Sequence, residues 1–124
     1  MKTILKYLLL ALASMAMLTF CTQSNTVISS ADPSFLSRKF KMDSIAINST
    51  SLKDLNNLAQ ASAKTGDDLA AMCFYRELGK RNRDSSNFRD AIYCHGEALA
   101  LAKKIKDTIS IIAMLNQQGT NYRR

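Results

Sequence analysis

The chain has little of what most catalytic sites are built from. Its 124 residues include no tryptophan, one histidine, one proline, four glycines and three cysteines. A lone imidazole, His95, cannot supply a multi-histidine metal centre, and no nucleophile elbow accompanies it. The glycines are scattered rather than gathered into a phosphate-cradling loop. No stretch alternates apolar and polar residues with the two-residue period of a strand. Most of the acidic residues fall at expected helix starts or in pairs of helical spacing such as Glu77 with Arg81. The expectation is a protein that is not an enzyme, with no cofactor, no metal and an all-α fold.

What the chain does have is apolar residues at steps of three and four. Pro33 to Ile47 reads as a helix opened by its proline, with Phe35, Leu36, Phe40, Ile45 and Ile47 as apolar surface. Leu52 to Lys64 reads as a second, with Leu52, Leu55, Leu58, Ala59 and Ser62 on one face. Gly66 closes it, and Asp67 or Asp68 opens the next. Asp67–Arg83, Asn87–Lys104 and Asp107–Arg124 are three more. Asn48-Ser49-Thr50 matches a glycosylation acceptor by chance; its residues, with Ser51, serve as a turn and helix cap.

The stretch from Tyr75 to Ile105 reads as a helical hairpin. Small residues at Gly79, Ala91 and Ala98 let two backbones approach, while Tyr75, Leu78, Phe88 and Ile92 fill the space between them. The order aromatic, Leu-Gly, turn, aromatic, Ala-Ile, Ala-Leu resembles a tetratricopeptide repeat. A shift of 40 residues supports it: Leu58–Arg83 overlays Ala98–Arg123, with Asp67 on Asp107, Leu69 on Ile109, Tyr75 on Leu115 and Gly79 on Gly119. The usual period of that family is about 34, so the chain resembles its longer-helix bacterial variant. His95 stands where the pattern prefers a large aromatic, and Asn82 where it prefers tyrosine, which Tyr122 restores.

The resemblance implies antiparallel hairpins stacked as a short solenoid over residues 33–124, the first hairpin degenerate and the last repeat incomplete. It also implies a groove that takes a protein or peptide segment. The residues expected to pack the repeats are Tyr75, Leu78, Gly79, Phe88, Ala91, His95, Ala98, Leu115, Gly119 and Tyr122. His95 is expected to pack in place of the family's aromatic, with a ring nitrogen at the hairpin edge. Ile109, Ile112, Leu115 and Tyr122 are left with half a repeat to cover them, an edge expected to self-associate.

Residues 1–21 read as an export signal. Lys2 and Lys6 give a positive start, and the fourteen residues Tyr7 to Phe20 carry no charge. That run is shorter than the about 20 apolar residues of a transmembrane helix. Two endings compete. Leu18-Thr19-Phe20-Cys21 resembles a lipoprotein box, with Cys21 as the lipidated residue and a firm membrane anchor, although Phe20 is larger than the box prefers. Ser14-Met15-Ala16 has the small-x-small pattern of ordinary cleavage. Residues 22–32, rich in Ser, Thr and Asn, form a linker. The expected location is periplasmic or membrane-anchored.

The formal charge is +7. Removing Lys2 and Lys6 from 17 basic residues, against 10 acidic ones, leaves +5. Much of it complements helix dipoles, with Arg81, Arg83 and Lys103 to Lys106 at helix ends and Asp67, Asp68 and Asp107 at helix starts. No nucleic-acid partner is expected of an exported chain. Arg76, Lys80 and Arg83 form one stripe, either a solvated face or a surface for an acidic partner. Cys73 and Cys94, among small apolar neighbours, read as buried free thiols. Two functions follow: an exported interaction module, or the extracytoplasmic front of a membrane-bound signalling or transcription-regulatory protein.

Overall fold

The computed structural model describes residues 32–49 and 51–123, which hold five α-helices and no strand. They are α1 (Pro33–Asn48), α2 (Leu52–Lys64), α3 (Asp68–Asp84), α4 (Phe88–Lys104) and α5 (Thr108–Tyr122). The residues expected to form an export signal, with Cys21, nearly all of the expected linker, Thr50 and Arg124 lie outside the described residues. The all-helical expectation holds, and each helix boundary falls within about two residues of its sequence-based position.

Local chemistry explains the boundaries. Asp32 caps α1 through the Ser34 amide, with Pro33 at the first helical position, where no N–H is required. Ser51, Asp67 and Asp107 each accept the amide three residues on and cap α2, α3 and α5. The three turns that follow α2, α3 and α4 share one geometry. In each, a residue with positive φ (Gly66 at 80°, Ser86 at 62°, Lys106 at 58°) ends the helix. The amide after it reaches back five residues: Asp67 to Ser62, Asn87 to Asn82 and Asp107 to Ala102, at 2.8–3.0 Å. These are Schellman closures. Their even spacing makes each helix-plus-turn a unit of one length, and two such units give the 40-residue repeat.

Helix α3 is the centre of the molecule. Leu69 through Tyr75 are all buried, so no side of its first two turns meets water. A helix apolar all round needs neighbours all round. Helices α2 and α4 pack along α3, α5 packs along α4, and α1 packs along α3. The anchor points run in the same direction on α1 and α3, with Arg38 at Asp67, Asp43 at Arg76 and the Ala46 carbonyl at Arg81. The two helices are therefore parallel.

The first hairpin departs from expectation. Helix α1 packs on α3 and shares at most a marginal contact with α2. Its inward face is also not the expected one: Phe35 and Ala46 are buried, while Leu36, Phe40, Ile45 and Ile47 are 40–76% exposed. Polar clasps set this face. Lys39 and Asp43 must point inward to meet Asp107 and Arg76, which turns Phe40 out to water. Arg81 completes the seam by donating to the Ala46, Ile47 and Ser49 carbonyls at 2.7–3.2 Å, capping the end of α1.

Candidate binding cleft

The α3–α4 seam gathers most of the expected packing residues. Tyr75, Leu78, Gly79, Ala91, His95 and Ala98 are buried there, and Phe88 is half-buried at the turn. The side chain against Gly79 is the His95 ring, not Ala91 or Ala98. A Cβ at residue 79 would lie 2.5 Å from His95 Cδ2 and 2.6 Å from Nε2. His95 thus packs inside the seam, and its ring nitrogens are buried rather than at the hairpin edge. Its Nδ1 accepts from Asn121 Nδ2 of α5 at 2.8 Å, which leaves the proton on Nε2. That Nε2 has no hydrogen-bond partner among the described residues, and neither has Asn121 Oδ1. Burial, first, and the nearby Arg83 guanidinium push the imidazole pKa down to about 4.

Leu115, Gly119 and Tyr122 are not packed in this way, as half a repeat leaves them. They occupy the repeat positions of Tyr75, Gly79 and Asn82, yet they are exposed, Leu115 at 52% and Tyr122 at 72%. The equivalent positions of α3 are buried because α4 lies on them. Among the described residues, no helix lies on this face of α5.

Between the parallel helices α3 and α5 runs a cleft of about 320 Å³ with His95 of α4 at its base. Arg76, Glu77, Lys80 and Arg83 form the α3 wall; Ala113, Met114 and Gln117 form the α5 wall. The cationic stripe legible in the sequence thus faces into a concavity. Three of its four charged residues are engaged. Arg76 pairs with Asp43, Glu77 with Arg81 at 3.0 Å, and Arg83 donates to Gln117 and lies 3.7 Å from Asp84. Lys80 is exposed and has no ion pair or hydrogen bond among the described residues. The cleft therefore carries a surplus of positive charge with one ammonium free to receive an anion.

The thiols are as expected. Cys73 and Cys94 are free and buried. Desolvation, aided by Asp43, pushes the Cys73 pKa up to about 12, and desolvation pushes Cys94 up to about 11, so both stay protonated and unreactive. Among the described residues no group of acidic, histidine and cysteine side chains has the arrangement of a metal site, and no helix is long and apolar enough to cross a membrane. Comparison of the chain with protein-family models, with curated proteins and with solved structures gives no match.

Proposed function

We propose that this chain is an exported, non-catalytic interaction module of tetratricopeptide-like build, and that the α3–α5 cleft takes an acidic segment of a protein or peptide. The observation that carries the reading is Lys80, unpaired at the cleft wall between Arg76 and Arg83. A cleft with a surplus of one sign of charge steers and retains the opposite sign. Gln117 and the backbone of an extended ligand supply neutral hydrogen bonds, and Ala113 and Met114 add apolar surface on the α5 wall. The charged start and apolar run of residues 1–20 support export.

Fluorescence anisotropy with labelled acidic peptides, matched against basic and neutral peptides of equal length, tests this. Acidic peptides should bind, more weakly as salt is raised, and Lys80→Glu should abolish the preference. Equal affinity for all three classes, or an unchanged preference in Lys80→Glu, would overturn it.

A further inference from the structure

We propose that the outer face of α5 is a homodimer interface, at which two copies of this chain pair antiparallel about a two-fold axis between Leu115 and Asn116. The face is a single continuous strip. Ile109, Ile112 and Tyr122 are exposed at 63%, 56% and 72%, and Leu115 at 52%. With Gly119 they fall at helical steps of three and four, while Ser110, Met114 and Asn121 turn inward. Forty residues earlier, Leu69, Met72, Tyr75 and Gly79 occupy the same positions on α3, and every one is buried under a neighbouring helix. The strip on α5 has the character of a helix-packing surface.

Charge selects a second copy as the occupant. Helix α5 contains no Asp, Glu, Lys or Arg. A two-fold interface brings each surface against itself, so it suffers like-charge repulsion wherever the strip is charged. This strip suffers none. Arg123, just beyond the helix, comes opposite Thr108 of the second copy.

Shape is self-complementary in the same register. The axis between Leu115 and Asn116 sets Ile112 over Gly119 of the second copy and Ile109 over its Tyr122. Gly119 is an open recess, with nothing within 4 Å of where its Cβ would stand. A large side chain thus meets a small one on each side of the axis, the alternation by which helix surfaces interlock. Exposed apolar patches on monomers reach about 300–600 Å². Two such strips bring together on the order of 1,000 Å², where specific interfaces begin.

The test uses the full chain carrying Cys21→Ser, so that residue forms no adventitious link. Sedimentation across concentration should show a reversible monomer–dimer equilibrium. Leu115→Glu, which sets two carboxylates against each other at the axis, should raise the dimer dissociation constant by at least about tenfold. Independently, the double variant Ile112→Cys, Gly119→Cys should form a disulfide-linked dimer on mild oxidation, whereas Arg89→Cys on α4 should not. Should Leu115→Glu lose its helical spectrum, the cross-link decides. A monomer at every concentration, with no cross-link, would overturn the proposal. So would association that survives Leu115→Glu but is lost in Phe40→Glu on the exposed face of α1, or on removing the apolar run Tyr7–Phe20. Capture of a foreign helix on α5 by a chain that stays monomeric would overturn it as well.

Discussion

Lys39 of α1 donates to Asp107, the residue that caps α5, at 2.6 Å across 68 residues of chain, and to Ser110 at 2.7 Å. Ser110 returns its own hydroxyl to Asp107 at 2.6 Å. The neighbouring Arg38 reaches Asp67, which caps α3, at 2.7 Å. Adjacent cations on α1 thus tie together equivalent aspartates of two repeats. This arrangement, more than apolar packing, sets how α1 lies, since only Phe35 and Ala46 of that helix are buried.

The two ties should differ greatly in worth. Side-chain exposure is 12% and 0% for Lys39 and Asp107 but 57% and 36% for Arg38 and Asp67. Lys39→Ala strands a buried carboxylate and should destabilise by about 3 kcal/mol. Arg38→Ala removes a solvent-screened pair and should cost under about 1 kcal/mol. Denaturant melts of both variants check this, and equal losses would mean that the Lys39 contact is as solvated as its neighbour.

One glycine step along the repeat gives a second contrast. At Gly79 an added methyl would collide with the His95 ring, so Gly79→Ala should destabilise by about 1–3 kcal/mol. At Gly119 the equivalent methyl meets nothing, and Gly119→Ala should stabilise the dilute chain by about 0.5–1 kcal/mol through helix propensity. A loss of stability at both positions would show that the α5 face is covered where this structure leaves it open.

The turn before α5 is strained where the turn before α3 is not. Gly66 takes its φ of 80° freely, whereas Lys106 holds 58° with a side chain. Lys106→Gly should therefore raise stability by about 1 kcal/mol, read as a shift in melting temperature or urea midpoint. An unchanged midpoint would place the strain elsewhere in the turn.

The helices were legible because their caps and periodicity are local. Asp67, Asp107, Pro33 and Gly66 announce their own boundaries in the sequence. The cationic stripe at Arg76, Lys80 and Arg83 was legible for the same reason, as spacing on one helix. Its orientation into a cleft was not, because that depends on α5, some 30 residues on. The fate of Phe40 was likewise hidden, and so were the neighbours of His95, which are Gly79 and Asn121. Phe40 is exposed because the ion pairs of Lys39 and Asp43 claim the inward face of α1. His95 is buried because Gly79 leaves a space its flat ring fills. Both outcomes rest on contacts between distant segments, where a polar residue with a partner displaces an apolar residue without one. Ser86 lies in the small polar run Asp84 to Asn87, a turn signal of its own, whereas Lys106 carries none and only its place 40 residues after Gly66 points to it.

The buried imidazole should make the protein acid-sensitive already at about pH 5–6, above the ordinary carboxylate range of about 4. His95 has a folded pKa lowered to about 4, from 6.5, by desolvation first and Arg83 second. Between those values the unfolded chain binds a proton that the folded chain refuses, so stability rises with pH across the window. The contribution is fully present above pH 6.5 and is lost as pH falls toward 4, amounting to roughly 3 kcal/mol. Asp107, whose pKa is also lowered in the fold, adds its own loss only below its unfolded value of 3.8, so the two effects separate. Urea melts at a series of pH values between 7 and 4 should therefore show a falling midpoint. His95→Phe, which keeps a flat ring against Gly79, should flatten that slope whatever it does to stability at pH 7. Arg83→Gln should flatten it in part by removing the nearby positive charge. If the slope persists undiminished in His95→Phe, another group takes up the proton and the imidazole is not the buried neutral ring described above.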